Sequence, residues 1–502
     1  MTGNLSRICI LSLAISVAWV APTLRAKDDV TSLSRKIDAM VKHERFHRAH
    51  IGVKVISLPD GKDVYSHQAQ KLFKPASNAK LFTGALVLDR FAPNHRLQTS
   101  CYTIGKPDTT GRVTGDLIIY GRGDPSFSPR FHDGDLRKPF KSFAKAIYKA
   151  GIRHVTGNIT ADESYFNIPP FGSGWTWDDL LESYGAEVSA LSINDNVALI
   201  RARPGTGLGR PCRIATLPPS IPVVVRSHAT TGRNGTRAAL NTHRPFLRNE
   251  VLLTGQLPIG HPGRNIEFTV RRPAFWFARM MKSELEATGI RIDGDAAAVN
   301  WRERLLTPLP RRGLHHVNSH TSPSLLELTS EMMKESQNLH AQLLLLQAGM
   351  KTPLAEKDTE ESAIADLNRF LQQAGIPADE VNLEEGSGLS RRALITPDAI
   401  VKLLEHMSRH RRSDAFAATL TVAGRDGTLR NRFRGTSAEN NLRGKTGSLT
   451  GIKSLSAYVT NKAGQKFAFS ILLNYHTQSG ASAKSAIDQI AVTIADSTLK
   501  VR

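Results

Sequence analysis

The 502-residue sequence predicts a multidomain α/β protein in which one α/β domain is split by a β-rich insertion of one or two domains. Three observations predict it. A hairpin signal followed by a helix stands near the start, and a hairpin followed by a helix stands at the end. Between them lies a stretch of short strand-like runs broken by Gly and Pro. The length exceeds that of one ordinary domain, and 40% hydrophobic with 22% charged residues suits globular cores.

The elements follow in order. Residues 1–26 carry Arg7, an apolar run from Ile8 to Val20, and small residues ending at Ala26, which predicts a secretory signal peptide. The run is short for a transmembrane helix. Residues 27–97 form the first part of the split domain. Ser32–His43 reads as a helix. Gly52–Leu58 and Lys62–His67 alternate around Pro59-Asp60-Gly61 as a hairpin. In Leu81–Phe91, Leu81, Ala85 and Leu88 recur at helical spacing. Residues 98–309 form the β-rich insertion, with strand-like runs such as Gly115–Tyr120 and Val155–Thr160 and a basic, turn-rich stretch over 201–250. Residues 310–502 complete the split domain. Helical texture returns over Ser324–Met350 and Glu361–Ala374. Strand-like Gly451–Val459 and Lys466–Leu473 precede a last helix, Ser482–Ala495.

The formal charge is +21. Such a surface attracts polyanions. Nucleic acid is one such partner, but the export that the leader predicts argues against it, and anionic wall or membrane surface suits the same charge by electrostatic contact. Without the leader two cysteines remain, Cys101 and Cys212. An oxidising compartment would permit them to pair, and their spacing leaves the question open. No Cys/His cluster has ligand spacing, so no metal site is expected.

Chemistry concentrates in three short elements. Ser77 and Lys80 stand three apart at the start of a helix, which puts both side chains on one face. A serine hydroxyl needs a base, and a lysine serves as one only when burial or a neighbouring cation lowers its pKa. Alone, this pair more often marks a solvated helix face. Ser336-Gln337-Asn338 adds a Ser-x-Asn element inside the helical segment Leu325–Leu346. Lys445-Thr446-Gly447 precedes the strand-like run Ser448–Val459. Each has a bland reading, as helix polars or as a loop. Their joint occurrence in this order is the pattern of penicilloyl serine transferases.

Beyond these elements the sequence resembles the class C low-molecular-mass penicillin-binding proteins, the D-alanyl-D-alanine carboxypeptidase/endopeptidase family. The likeness rests on Pro75-Ala-Ser-Asn-Ala-Lys80, Gly115-Asp-Leu-Ile-Ile-Tyr-Gly-Arg-Gly-Asp-Pro125 and Trp175-Thr-Trp-Asp-Asp-Leu180. It continues in Tyr184-Gly-Ala, Ser189-Ala-Leu-Ser-Ile-Asn-Asp-Asn196, Gly386-Ser-Gly-Leu-Ser-Arg391 and Ala423-Gly-Arg-Asp-Gly-Thr-Leu429. Two positions depart from it, Glu385 where Asp is expected and Ala393 where Asn is expected.

The resemblance implies a β-lactamase/transpeptidase-like domain, an antiparallel sheet flanked by helices, with a large insertion between the first two catalytic elements. It implies a periplasmic or otherwise extracytoplasmic hydrolase acting on peptidoglycan stem peptides and inhibited by β-lactam antibiotics. Ser77 would be the nucleophile and Lys80 its base, with Ser336 relaying a proton under the influence of Lys445. Asn338 and Thr446 would hold the substrate, and the amides of Ser77 and Ser448 beside Gly447 would form an oxyanion hole, commonly worth about 3 kcal/mol per donor. No metal or organic cofactor is implied. A serine β-lactamase uses the same three elements but needs no insertion of this size. A silent wall-binding protein would need no intact catalytic set. Asp162 lies where a basic substrate side chain could be met, though a strand-end role explains it as well. Oligomeric state and the balance of carboxypeptidase and endopeptidase activity stay open.

Overall fold

The computed structural model describes residues 29–310 and 313–501, so the expected leader at 1–26 lies outside the described residues. Segments from both ends of the chain form one six-stranded antiparallel sheet. Its order is Asp63–His67, His50–Ser57, Lys466–Asn474, Ile452–Thr460, Arg443–Leu449 and Thr421–Val422. The seam between the two ends runs from His50 opposite Asn474 to Ser57 opposite Phe467.

Side chains alternate across this sheet. Val53, Val55, Phe469 and Ile471 face the helices Val30–Val41 and Gly480–Asp496. Ile56, Ala468 and Leu472 face a helical layer made of Ala79–Arg90, Leu325–Lys334, Asn338–Lys351, Thr359–Gln373 and Pro397–Arg409. Because both faces are covered, the central strands are buried almost throughout. The helix Asn338–Lys351 lies deepest. Ala341, Leu344 and Leu345 face that layer, whereas Leu339, Leu343 and Leu346 meet Phe166, Val188 and Ala190 of the insertion. A helix apolar all round is one buried all round.

The chain enters the insertion along Arg96–Ile104 and returns along Leu314–Ser324, and these two strands pair antiparallel. They border Leu117–Tyr120, Ile159–Asp162 and Ala296–Val299, which run parallel to one another. Parallel neighbours need crossovers, and the helices Arg137–Lys149 and Pro273–Ala287 lie between them in sequence. The β-rich texture therefore describes residues 197–269, which build two small sheets, better than the flanking parts. Phe140, Phe143, Ala144 and Ile147 form the buried stripe of the first helix, spaced at helical intervals among lysines. Cys101 and Cys212 are both free and buried, so the disulfide left open by the sequence is not formed.

Candidate active site

Ser77 lies in a single 3-10 turn, Ala76–Asn78, that leads into the helix Ala79–Arg90. Lys80 falls in that helix's first turn, and its Nζ donates to Ser77 Oγ at 2.9 Å. The ammonium also donates to Asn338 Oδ1 at 2.7 Å and to the Ser387 carbonyl at 2.8 Å. Ser77 is half-buried, while Lys80 is fully buried. Burial pushes Lys80 down to about 7, against the opposing pull of the Glu385 carboxylate.

Glu385 is itself buried and organises the loop that supplies the Ser387 carbonyl. Its carboxylate accepts from the Ser387 and Gly388 amides, at 2.7 and 2.6 Å, and from the Ser387 hydroxyl at 2.6 Å. Gly388 has φ +78°, and a Cβ there would lie 2.0 Å from the Ala76 carbonyl. Only glycine lets this loop rest on the turn that carries Ser77.

The continuous helix expected across Leu325–Leu346 is broken. Leu325–Lys334 ends, Ser336 adopts φ +63°, and Asn338–Lys351 begins. A left-handed residue cannot continue a right-handed helix. The break puts Ser336 in the connection and Asn338 in the next helix's first turn. There Asn338 bonds Lys80 through Oδ1 and donates through Nδ2 to the Tyr184 carbonyl of the insertion at 2.9 Å.

Lys445 is fully buried and donates to Ser336 Oγ at 2.9 Å and to the Thr446 carbonyl at 2.8 Å. Burial first, and the Lys80 charge second, hold it well below the usual lysine range. Lys445, Thr446 and Gly447 lie within the strand Arg443–Leu449 rather than in a loop before it. At Gly447 a Cβ would approach Ser454 Oγ to 2.2 Å and the Pro75 carbonyl to 2.7 Å, because the strand passes against the Ser77 turn. Thr446 Oγ1 donates to Thr428 Oγ1 at 2.8 Å, and Ser448 Oγ accepts from Lys453.

The structure thus gathers Ser77, Lys80 and Asn338 in one hydrogen-bonded set and Ser336 with Lys445 in a second. A polar cavity of about 370 Å³ opens beside Ser336 and Asn338, lined also by Tyr184 and Asp195 of the insertion. Sequence reading assigned no role to Glu385, Ser387, Thr428 or Tyr184, although all except Glu385 lie inside segments that carried the resemblance. Asp162 is a buried strand end, ion-paired with Arg304 at 2.6 Å within the insertion. Among the described residues no group of three or more His, Cys, Asp or Glu is arranged to hold a metal ion.

A split antiparallel sheet with this buried helix against it is the fold of penicillin-binding proteins. Penicillin-binding protein 4 of Haemophilus influenzae superposes with a TM-score of 0.75 at 23% identity, over 92% of this chain and 97% of that one. The chain belongs to the D-Ala-D-Ala carboxypeptidase 3 (S13) family, whose pattern matches residues 33–495. It is 30% identical over 478 residues to the D-alanyl-D-alanine carboxypeptidase of Actinomadura sp. (strain R39), covering 93% of this chain and 85% of that protein. To the D-alanyl-D-alanine carboxypeptidase DacB of Haemophilus influenzae it is 24% identical over 484 residues, 94% of each. Family membership makes the chain an enzyme of the D-Ala-D-Ala carboxypeptidase class.

Proposed function

We propose that the protein is a serine-type D-Ala-D-Ala carboxypeptidase, DD-endopeptidase or both, acting on peptidoglycan stem peptides through an acyl-enzyme on Ser77. The observation that carries this reading is the buried Lys80 ammonium 2.9 Å from Ser77 Oγ, with a pKa pushed down to about 7. A neutral Lys80 takes the hydroxyl proton as Ser77 Oγ forms its bond to the carbonyl carbon of the penultimate D-Ala, or of the D-centre in a cross-link. The amides of Ser77 and Ser448 receive the oxyanion. The C–N bond then breaks, and the departing amine takes a proton through Ser336 Oγ, which Lys445 holds. Water adds to the ester, releases the shortened peptide and restores Ser77.

Asn338 ties the two serine–lysine pairs together, since it touches Lys80 and begins the helix that follows Ser336. The protein works outside the cytoplasm after export by its N-terminal leader, where its basic surface meets anionic wall. β-Lactams enter the same site as substrate mimics and acylate Ser77. Among the described residues no helix is long and apolar enough to cross a membrane.

Intact mass against time after mixing with benzylpenicillin tests this reading. A lasting single adduct that maps to Ser77 and vanishes in Ser77→Ala is expected. An adduct that clears within seconds as the drug is consumed would make the protein a β-lactamase, and no adduct would make it a silent binder.

A further inference from the structure

The cavity beside Ser336 and Asn338 does not end at the catalytic groups. Val197, Leu199 and Glu267, from a three-stranded sheet of the insertion, also line it. That sheet runs in the order Arg264–Thr269, Val197–Arg203, Arg213–Leu217, with both pairs antiparallel. Alternate residues of a strand share a face. Ala198, Ile200 and Ala202 are buried in the core of the insertion, so Val197, Leu199, Arg201 and Arg203 stand on the outer face. The register completes that face, because residues opposite one another in an antiparallel pair lie on the same side. Leu199 is opposite Glu267 on one neighbour, and Arg203 is opposite Arg213 on the other. The face that borders the cavity at Leu199 therefore continues into Arg201, Arg203 and Arg213. At about 3.3 Å per residue, Arg203 stands about 13 Å from Leu199.

These guanidiniums have no counter-ions of their own. Among the described residues no carboxylate lies within ion-pair reach of Arg201, Arg203 or Arg213. Arg201 Nε is buried without a hydrogen-bond partner. Like charges directly opposite one another destabilise a sheet, yet Arg203 faces Arg213. Residues 197–269 contain arginines but no lysine, and their carboxylates are Glu250, held by Arg226 at 2.7 Å, and Glu267 at the cavity. A planar guanidinium grips a carboxylate through two parallel hydrogen bonds, a fit that an ammonium lacks. A row of unpaired guanidiniums gains when carboxylates dock on it. An anionic chain leaving the cavity is thus drawn past Glu267 toward the arginines.

We propose that this outer face docks the second stem peptide of a cross-linked substrate, with Arg201, Arg203 and Arg213 binding its free carboxylates. This rests on the reading of Ser77 as the acyl-transfer nucleophile. Continuity with the cavity selects this occupant over a separate polyanion. A chain whose scissile bond lies at Ser77 must leave the cavity, and the arginine face borders it at Leu199. A short peptide held within the cavity does not reach Arg203, whereas a cross-link carries a second stem well beyond it. The face touches no reacting atom and acts on which polymer is held, favouring cross-linked over monomeric substrate. Exposed ion pairs contribute about one- to fivefold each, so three together give roughly tenfold at low salt.

The test compares a purified cross-linked muropeptide dimer with diacetyl-L-lysyl-D-alanyl-D-alanine, followed by mass spectrometry at 20 and 500 mM NaCl. Wild type is set against the triple variants Arg201→Gln/Arg203→Gln/Arg213→Gln and Arg201→Lys/Arg203→Lys/Arg213→Lys. At low salt the glutamine variant should lose about tenfold in kcat/KM on the dimer, through KM with kcat unchanged. Its turnover of the small peptide and its rate of Ser77 acylation by benzylpenicillin should match wild type. The lysine variant should recover most of the loss, and high salt should bring all three proteins together on the dimer. If the triple glutamine variant loses its thermal midpoint, Arg203→Gln alone should show the same split between substrates at about threefold. Equal losses on dimer and small peptide, or no loss on the dimer, would overturn this proposal and leave Ser77 in place. So would a wild type that cleaves the small peptide but not the dimer. An unchanged dimer rate together with weaker retention on a phosphodiester wall polymer would give the face to a different anion and overturn it as well. A wild type that cleaves neither substrate and takes no penicillin adduct would instead overturn the functional reading beneath it.

Discussion

Lys80 is held by opposing effects. Burial favours the neutral amine, while Glu385 and three acceptors favour the ammonium. A charged lysine fills its three N–H bonds with Ser77, Asn338 and Ser387; a neutral one has a lone pair free to accept from the Ser77 hydroxyl. Acylation by benzylpenicillin should therefore rise about tenfold per pH unit below about 7, where the neutral fraction grows, and level off above it. In Glu385→Gln the counter-charge is gone, so the midpoint of that limb should move to lower pH. A limb that stays put, read by stopped-flow acylation between pH 5 and 9, would mean that Glu385 acts only on the loop. Lys80→Arg keeps a cation that cannot release its proton and should abolish acylation. Ser77, Lys80, Ser336, Asn338 and Lys445 were all legible from spacing and order. The Ser387 and Tyr184 contributions were not, because a backbone carbonyl leaves no mark on residue identity.

At the scale of elements, the site depends on two departures from regular structure. One is the helix break at Ser336, hidden in the sequence because apolar periodicity continues on both sides of it. Nothing in Glu335-Ser336-Gln337 carries a Gly or Pro stop signal; the turn is closed by the Gln337 amide on the Met332 carbonyl at 3.1 Å and held by Lys445 on Ser336 Oγ. The other is the close passage of the strand Arg443–Leu449 over the Ser77 turn. Gly447→Ala places a methyl where Ser454 Oγ and the Pro75 carbonyl already lie. Overpacking of this kind costs about 1–3 kcal/mol. It also displaces the strand that holds Lys445 relative to Ser77. We expect a lower thermal midpoint together with a loss of Ser77 labelling of about hundredfold or more, since misplacement of about 1 Å costs that much. A fully active Gly447→Ala would show that the strand can shift without disturbing the serines. The missed helices of the insertion, Arg137–Lys149 and Pro273–Ala287, have a different cause. Their buried stripes keep a helical period, but they lie in a stretch whose short alternating runs, broken by Gly and Pro, predict strands.

On the scale of the whole molecule, the insertion and the split sheet meet through buried polar contacts that reach the candidate active site. Ser173 of the insertion donates to Glu360 at 2.6 Å, Gln342 donates to the same carboxyl, and Gln342 Oε1 accepts from the Gly386 amide at 2.9 Å. Gly386 begins the loop whose next carbonyl, that of Ser387, bonds Lys80. Burial raises the Glu360 pKa to about 7, and the Glu385 charge adds to it. The sign follows from linkage. A carboxyl raised in the folded state contributes stability that is fully present below its ordinary value near 4 and is lost as pH rises through about 7. The wild-type slope alone does not isolate this group, because the half-buried His320, lowered to about 4, titrates in the opposite sense over part of the same window. The difference between wild type and Glu360→Gln does isolate it, since every other group is common to both. Measured by urea midpoint, Glu360→Gln should gain on wild type steadily between pH 5 and 8, by on the order of 2 kcal/mol in total for a shift of this size. Any fixed cost of replacing the carboxyl adds equally at both ends and cancels. A difference that stays flat across this range would mean that Glu360 is already ionised at pH 5, and the junction between insertion and active site would then be held by a buried charge rather than by a neutral acid.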